Sequence, residues 1–320
     1  MNPSKAALLL LYVAERVKQI SLKHKGAWTK GIVSEVRGED EKKWAIDFYV
    51  DKFLRSVFAE ATKVYRTSVT VVLEEQDLSF SAENGKVKNE LNEDASTVFL
   101  DPICYSTDHS RWLMTEVSCF PTRAFFIGGW SSKCYKEAKL TDIEVGLHYS
   151  LGTGRYFLGM RLSSSCYETL LNGTKYSLPP YSLVQKPIVA FPWYSNRRYD
   201  IAGRLMSYLS NEYKVFMGTG STALDQALLF EGRIEGVVDL RARLAQGYGA
   251  TLMPHDIAAI WPIAKGLGLV VTDAEGRDLG VSIWGESPVS LVAARREVHS
   301  VLLKRLKNVM RSAYEFVAIR

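Results

Sequence analysis

Three acidic residues of the sequence stand where apolar runs begin or end. Glu74 follows a β-branched run, Asp101 follows a second apolar run, and Asp256 comes directly before an apolar helix candidate. The ends of strands and helices are the usual places for ligand sites in α/β layers. Carboxylates that converge repel one another unless a cation neutralises them, and oxygen ligands suit Mg²⁺ or Mn²⁺. The alternative is that these residues are helix N-caps and solvated turn residues, for which Asp256 is well placed.

Other patterns that could indicate chemistry are incomplete. The run Met217–Thr222 lacks the lysine of a phosphate-binding P-loop, and Gly152–Gly154 lacks the third glycine of a dinucleotide-binding turn. The four cysteines include no closely spaced pair, which argues against a zinc site. No GxSxG elbow supports a serine hydrolase. The basic residues of the last helix are interrupted by Glu297 and are typical of a solvated face.

Apolar periodicity predicts the elements that must hold these residues. Residues 3–23 and 41–63 repeat apolar side chains at the helical period of about 3.6 residues. A β-branched strand follows at 67–73, and the polar stretch 77–96 has no period and is expected to be a flexible excursion. From 115 to 179 short alternating segments meet glycine turns, which predicts an antiparallel meander.

The pattern changes after the two prolines at 179 and 180. Beyond them strand candidates alternate with helix candidates, which indicates an α/β layer. The predicted elements are strand 188–191, helix 198–211, strand 214–217, helix 221–232, strand 236–240, helix 256–268, strand 269–272 and a final helix at 289–310. We therefore expect two parts. Residues 1–182 would hold the N-terminal helices, the antiparallel sheet and most metal-ligand candidates, and residues 183–320 an α/β half with a mixed sheet.

The composition is that of an ordinary globular protein. The 320 residues are 47% hydrophobic and 23% charged, and 40 basic against 35 acidic residues give a formal net charge of +5. This balance excludes a disordered chain and falls short of the focused basic patch of a nucleic-acid binder. The apolar run at residues 6–14 is too short to span a bilayer and has no signal cleavage site. We therefore expect a cytoplasmic protein with no membrane partner.

Seven segments together form a wider pattern. They are Asp47–Leu54, Ile143–Gly146, Leu171–Lys175, Gly220–Asp225, Gly232–Arg241, Met253–Ala259 and Gly266–Asp273. These segments resemble the inositol monophosphatase and fructose-1,6-bisphosphatase superfamily of lithium-sensitive sugar phosphatases, and especially its archaeal branch. The last four resemble the family's carboxyl-terminal pattern GSAAL, GR.DA, D.R, WDIAA and GG.VTD. The resemblance covers most of the chain.

The resemblance implies a fold, an activity and a set of site residues. The fold would be of the α/β class (α+β layered), as an alternating α/β/α/β/α sandwich. The activity would be Mg²⁺- or Mn²⁺-dependent hydrolysis of a phosphomonoester. The implied residues are Glu74, Asp101, Asp256 and the carbonyl of Ile103 as metal ligands, Asp47 and Ser106 as the catalytic pair that orients water, and Cys104, Tyr105, Ser106, Ser221, Thr222 and Asp239 as substrate-binding residues.

The central metal motif departs from the family's pattern. Where the family reads DPIDGT, this chain reads DPICYS over Asp101–Ser106. Cys104 replaces the second Asp, and a thiol is a poor ligand for Mg²⁺. Tyr105 replaces the Gly of a turn whose N–H groups hold phosphate, which can strain or close that turn. Ser106 keeps a hydroxyl in place of Thr, and Asp108 is a nearby acid that could take over a ligand position.

Two hypotheses therefore stay open. The first is a metal-dependent phosphomonoesterase that hydrolyses a sugar or inositol phosphate and has a weakened second metal site. Its rate would be roughly a hundredfold or more lower than that of an enzyme with both metal sites intact. The second is a catalytically silent relative that binds a phosphorylated ligand or a protein partner. Cys104 and Tyr105 separate the two, since an enzyme must compensate for both substitutions and a binding protein need not. We expect a small phosphorylated partner, no nucleic acid and a homodimeric assembly.

Overall fold

Helices and strands alternate along the chain. A computed structural model describes residues 1–23, 32–35, 42–73, 78–104, 125–181, 186–192, 199–216, 218–219, 221–244, 251–285 and 287–317. The α-helices in these ranges are α1 (Pro3–Lys23), α2 (Ala45–Tyr65), α3 (Tyr199–Ser210), α4 (Thr222–Phe230), α5 (Arg241–Leu244), α6 (Ile260–Gly266) and α7 (Arg296–Val317). Two 3₁₀ turns lie at Leu140–Asp142 and Pro254–Ile257.

The strands of the described ranges fall into an N-terminal and a C-terminal group. The first group is β1 (Ile32–Glu35), β2 (Lys42–Trp44), β3 (Ser68–Leu73), β4 (Phe80–Glu83), β5 (Lys86–Lys88), β6 (Ser96–Cys104), β7 (Phe125–Ser131), β8 (Val145–Ser150), β9 (Tyr156–Arg161), β10 (Tyr167–Leu171) and β11 (Thr174–Lys175). The second group is β12 (Ile188–Ala190), β13 (Lys214–Phe216), β14 (Gly236–Asp239), β15 (Leu269–Thr272) and β16 (Leu291–Arg295).

Two large sheets organise these strands. The first has nine strands in the order β11-β10-β9-β8-β7-β6-β3-β4-β5, and its pairs are antiparallel except for the parallel pair of β3 and β6. The second has five strands in the order β13-β12-β14-β16-β15, with β12 parallel to both neighbours and the other pairs antiparallel. Strands β1 and β2 form a separate antiparallel pair.

Three hydrophobic cores fill the spaces between five layers, and the second core lies on both sides of the middle layer. The first core lies between helices α1 and α2 and one face of the nine-stranded sheet, and it buries Leu10 and Phe58. The second lies between the opposite face of that sheet, helices α4 and α6 and the five-stranded sheet, and it buries Phe230. The third lies between the five-stranded sheet and helices α3 and α7, with Leu205 and Leu302. The expected α/β/α/β/α sandwich is confirmed.

The N-terminal helices match their predictions closely. Helix α1 spans Pro3–Lys23 and buries its apolar face against the first core, and α2 begins and ends within a few residues of the predicted 41–63. No helix in the described ranges is both long and apolar enough to cross a membrane. The predicted meander is also present, as the consecutive antiparallel strands β7 to β11. Its first part, residues 115–124, lies outside the described residues.

The prediction of a flexible excursion at 77–96 is wrong. Strands β4 and β5 form an antiparallel hairpin there and extend the nine-stranded sheet. Phe80 and Ala82 alternate with polar residues and point into the first core, which is the pattern of a half-buried strand. Asn84 and Gly85 both have positive φ, of 45° and 87°, as the tight turn of a two-residue hairpin requires. The alternation covers only four residues and was too short to stand out.

The predicted helix at 289–310 is wrong in its first part. Residues Leu291–Arg295 form β16, a central strand of the five-stranded sheet, and the helix begins only at Arg296. Leu291 faces the second core and Val292 the third, so both faces of the strand are buried. A short apolar run buried on both faces cannot be told from a buried helix by periodicity. The predicted helix 256–268 likewise consists of a 3₁₀ turn followed by α6.

Three glycines in register let one segment lie directly on the nine-stranded sheet. Gly129 on β7 pairs with Gly146 on β8, which pairs with Gly159 on β9. A Cβ added at these positions would lie 2.9, 2.6 and 2.3 Å, respectively, from backbone atoms of residues 258–263. Any larger residue would push this segment away from the sheet. The glycines therefore fix the position of the chain directly after Asp256.

Candidate metal centre

A β-bulge near the end of β6 brings two potential ligands to one face of the sheet. Asp101 is paired with Ile127 on β7, and the next paired residue is Cys104, opposite Phe125. Three residues along β6 thus lie opposite two residues along β7. The extra residue changes which face of the sheet the following side chains of β6 point to. Cys104 faces the second core, whereas Ile103 inside the bulge packs into the first core. Without the bulge, residues three apart on a strand would point in opposite directions.

Asp256 reaches the same place from the C-terminal half. It lies in the 3₁₀ turn Pro254–Ile257, and its Oδ2 accepts a hydrogen bond of 2.7 Å from the backbone N–H of Met253. Its backbone carbonyl accepts a hydrogen bond of 3.1 Å from Nε2 of Gln226 on α4. The turn and the glycine contacts of the following segment hold the carboxylate in place. Asp256 is therefore not the helix N-cap that the alternative interpretation expected, because Met253 holds that position; Asp256 caps the turn from its third residue and also lies close to β6.

Asp101, Cys104 and Asp256 form a compact cluster of potential metal ligands. Each offers one ligand atom, and these atoms all lie within 4.8 Å of one another. Asp101 is 3% exposed and Cys104 7% exposed, while the Asp256 side chain is 20% exposed. Ligands on opposite sides of one cation are separated by at most about 4.5 Å, because bonds to Mg²⁺ or Zn²⁺ are roughly 2.0–2.3 Å long. The cluster therefore fits a single cation after small side-chain adjustments.

The donor set fits a divalent cation but only partly fits Mg²⁺. The carboxylates of Asp101 and Asp256 are hard oxygen ligands, which Mg²⁺ and Mn²⁺ prefer. Cys104 is a buried thiol, and its sulfur is a soft donor that suits Zn²⁺ and related transition metals better. The side chain of His255 lies close by, with Nε2 at 3.8 Å from Oδ1 of Asp256.

Several predicted site residues lie outside the described residues. They are Glu74, Tyr105, Ser106 and Asp108. Asp47 lies on helix α2, in a part of that helix whose side chains are not described. Ile103 lies directly before Cys104 in the bulge. The roles expected for these residues, including the ligand carbonyl of Ile103, stay predictions.

The other predicted substrate-binding residues belong to a polar network where β14 meets α4. Ser221 is the N-cap of α4, and its Oγ accepts a hydrogen bond of 3.2 Å from the N–H of Leu224. Asp239 is completely buried and forms an ion pair of 2.6 Å with Nη2 of Arg241. The same Nη2 donates to Oγ1 of Thr222 over 2.9 Å. These contacts show a structural role, and substrate binding by the three residues stays a prediction.

The sequence reasoning missed Asp225 as a separate feature of this network. Its side chain is completely buried, and Oδ1 accepts a hydrogen bond of 2.9 Å from the N–H of Thr219. Oδ2 has no hydrogen-bond partner among the described residues. Burial raises the pKa of Asp225 to about 6, although the hydrogen bonds from Thr219 oppose this shift. The available signal was a pair of polar residues, Asp225 and Gln226, in the middle of the apolar helix α4.

His148 is a packing residue within the described structure. It is buried on β8, with its ring 4.6 Å from that of Phe125 and 5.5 Å from that of Phe230. Its Nε2 lies 2.9 Å from the carbonyl oxygen of Ala223. Burial lowers the pKa of His148 to about 4, so the ring is neutral at pH 7 and can donate to this carbonyl. The histidine thus ties the sheet to the start of α4.

Comparison with known proteins places this architecture among solved structures. No protein-family model and no curated protein matches the chain. A Pyrococcus horikoshii protein described as similar to inositol-1 monophosphatase is 22% identical, with a TM-score of 0.56 over 82% of this chain and 83% of that one. The extragenic suppressor protein SuhB of Bartonella henselae is 17% identical, with a TM-score of 0.66 over 93% and 97%. An inositol monophosphatase/NADP phosphatase in complex with NADP and Ca²⁺ is 15% identical, with a TM-score of 0.63 over 95% and 96%.

These likenesses extend over 82–95% of this chain. The chain therefore has the fold of these inositol-monophosphatase-like structures, as its motifs predicted. At these identities the likeness concerns the fold and not the activity. The function has to be argued from the site.

Proposed function

We propose that this protein is a divalent-cation-dependent phosphomonoesterase that acts on a sugar phosphate, an inositol phosphate or a similar small molecule. The observation that supports it most strongly is the meeting of Asp101 and Asp256. These residues are 155 positions apart in the sequence, and their carboxylates approach within 4.8 Å at the boundary between the two sheets' layers. Two carboxylates brought together in a shielded place favour a bound cation, because they would otherwise repel each other.

In this proposal some residues of the site would bind the cation and others would orient the attacking water. Asp101 and Asp256 would hold the cation, joined by Glu74 and the carbonyl of Ile103. A divalent cation in such a site activates water and neutralises charge on the leaving oxygen. Asp47 would accept a hydrogen bond from the Ser106 hydroxyl and so direct the attacking water in line with the bond to be broken. The new bond would join the water oxygen to phosphorus as the water loses a proton, and the bond from phosphorus to the alkoxide oxygen would break as that oxygen takes up a proton.

We propose that the start of α4 contributes to substrate binding. Ser221 and Thr222 are buried at this N-terminus, where the helix dipole favours an anion or a sugar hydroxyl. Arg241, which forms an ion pair with Asp239, donates a hydrogen bond of 2.9 Å to Oγ1 of Thr222. We propose that this hydrogen bond keeps the start of α4 in a fixed orientation toward the cation cluster.

A silent relative that binds a phosphorylated ligand or a protein partner is the second candidate. The observation that favours it is Cys104, which stands in the cluster where the related motif has a carboxylate. Losing a hard ligand of a second cation removes stabilisation of the leaving oxygen but leaves binding intact. We further propose a cytoplasmic location and a homodimeric assembly for either function.

A phosphate-release assay distinguishes the two candidates. The purified chain is incubated with Mn²⁺ or Mg²⁺ and with inositol 1-phosphate, fructose 1,6-bisphosphate or 2′-AMP. We expect release of phosphate with at least one of them, loss of release in Asp101→Asn, and full release in Asp94→Asn, a matched control at an exposed position. Cation-dependent binding of these compounds without release would establish the silent relative instead.

A further inference from the structure

We propose that Asp101, Cys104 and Asp256 bind Zn²⁺ in preference to Mg²⁺, with the sulfur of Cys104 as a direct ligand. The inference rests on the proposed function for the presence of a cation at this site, and it deepens that function by naming the cation. The starting observation is the composition of the cluster, in which one thiol and two carboxylates lie within 4.8 Å of one another.

The bulge in β6 is what makes the sulfur available. Asp101 and Cys104 are three residues apart, so a regular strand would place the thiol on the face of helices α1 and α2. The extra residue turns Cys104 to the face of Asp101 instead. A cysteine used only for packing has no need of two acids beside it. Here a local distortion of the backbone brings the thiol and the carboxylates to the same point.

The number and type of the donors match those of a zinc site that performs chemistry. Catalytic zinc sites use three protein ligands and leave a fourth position for water, with sulfur, nitrogen and carboxylate oxygen all accepted as donors. Zn²⁺ would therefore need only the three donors of the cluster, whereas Mg²⁺ would also use Glu74 and the carbonyl of Ile103. Zn²⁺ binding to a thiol releases its proton to the solvent, so the ligand is the thiolate. Three anionic donors around one dication leave a net charge of −1. Mg²⁺ prefers six oxygen donors in an octahedron and gains little from a thiolate.

The sequence contains no closely spaced cysteine or histidine pair, which argues against the zinc sites that are built from such pairs. The cluster seen here takes two of its three donors from aspartates, and one of these comes from the other half of the chain. A search for cysteine and histidine spacing does not detect this arrangement.

Cobalt substitution tests the sulfur ligand directly. Co²⁺ occupies zinc sites, and a cobalt–thiolate bond gives an intense charge-transfer absorption in the near ultraviolet. We expect this band on adding Co²⁺ to the metal-free full-length chain, its loss in Cys104→Ser, and its retention in Cys166→Ser, which removes an exposed thiol elsewhere. Zn²⁺ should displace the cobalt and abolish the band, and a large excess of Mg²⁺ should not.

Affinities measured on two variants complete the test. Cys104→Ser should weaken Zn²⁺ binding at least about tenfold, since even the loss of a group that only orients a ligand costs 10- to 100-fold. Cys104→Asp restores three oxygen donors and should shift the preference from Zn²⁺ toward Mg²⁺ by a similar factor.

A wild-type chain without the cobalt band overturns the inference whether or not the variants fold. If such a chain still releases phosphate with Mg²⁺, the proposed function stands while the zinc inference fails. If it binds no cation and releases no phosphate, both fail.

Discussion

Cys104 supplies a thiol beside the two carboxylates of the candidate centre, and we expect this side chain to determine how well the site binds a hard cation. Its sulfur lies within 4.8 Å of oxygens of Asp101 and Asp256. Restoring the carboxylate should therefore favour Mg²⁺-dependent chemistry. We expect Cys104→Asp to raise Mg²⁺-dependent hydrolysis of a generic phosphomonoester by roughly a hundredfold, the value of a few kcal/mol of transition-state stabilisation. Initial rates at saturating Mg²⁺ measure this effect.

The control for this substitution is Cys166→Ser, at an exposed cysteine outside the cluster. It should leave the rate of the wild type unchanged. An unchanged or lower rate in Cys104→Asp would mean that another departure from the family pattern limits the site. Adding Tyr105→Gly to Cys104→Asp then shows whether the turn that would hold phosphate is the limiting element.

Asp225 makes the stability of the protein depend on pH. Its folded-state pKa of about 6 lies above its ordinary value of 3.8, because the carboxyl is buried. The folded state therefore takes up a proton more readily than the unfolded state. The contribution of Asp225 is most favourable below pH 4 and is lost as the pH rises through 6, by about 3 kcal/mol in total. Asp225→Asn cannot titrate and should lack this dependence.

Chemical denaturation at pH 4, 5, 6 and 7 measures the effect as a difference. We expect the free energy of unfolding of wild type relative to Asp225→Asn to fall by about 2 kcal/mol between pH 4 and pH 7, because part of the total change lies below pH 4. The amide oxygen of the variant can still accept from the N–H of Thr219, so the fold should persist. Asp94→Asn, at an exposed position, serves as the control and should show no comparable difference. Parallel pH profiles for wild type and Asp225→Asn would contradict the assignment.

The glycine row Gly129, Gly146 and Gly159 on β7, β8 and β9 lies against the segment that follows Asp256, and we expect it to position Asp256. A Cβ at Gly146 would lie 2.6 Å from the carbonyl oxygen of Ala259 and 2.8 Å from Cγ of Pro262. Because one of these atoms belongs to the backbone, the segment has to move away from the sheet. We expect Gly146→Ala to lower the free energy of unfolding by about 1–3 kcal/mol and to weaken cation binding as well.

The matched control is Gly203→Ala in helix α3, where no atom lies within 4 Å of an added Cβ. This substitution should be neutral or stabilising by about 0.5–1 kcal/mol, because alanine favours the helix. Denaturation curves and cation titrations of both variants form the measurement. Normal cation affinity in a destabilised Gly146→Ala would show that the row supports the fold without positioning Asp256.

Elements in which apolar residues repeat over many positions were predictable from the sequence. Short elements, and strands buried on both faces, were not. Helix α1 carries an apolar face over 21 residues and was predicted with its observed bounds. Strand β16 is apolar on both faces and was mistaken for part of a helix. At the site, Glu74, Asp101 and Asp256 were predicted to meet. Glu74 lies outside the described residues, and Asp101 and Asp256 do meet. The bulge that turns Cys104 toward them depends on the pairing of β6 with β7, which no local pattern reports.

At the scale of the whole molecule, the cluster lies where two parts of the chain meet. Asp101 and Cys104 belong to the nine-stranded sheet, while Asp256 belongs to the turn before α6. This turn and α6 pack between the two sheets in the second core. A cation bound here would cross-link the sheet to the middle layer, so binding and folding are coupled. Binding to the folded state alone raises its stability by mass action.

We therefore expect divalent cations to raise the thermal midpoint of the wild-type chain. At a concentration of 100 times the dissociation constant, the gain is about 2.7 kcal/mol, which for 320 residues corresponds to roughly 4 °C. Mn²⁺ should act at lower concentration than Mg²⁺, since it binds more tightly to a site of mixed donors. Asp101→Asn and Asp256→Asn should each abolish most of the shift, and Asp94→Asn should retain it. Thermal melts over a cation titration measure this directly. A midpoint indifferent to millimolar Mn²⁺, Mg²⁺ and Zn²⁺ would mean that the three donors serve packing alone and that no cation joins the layers.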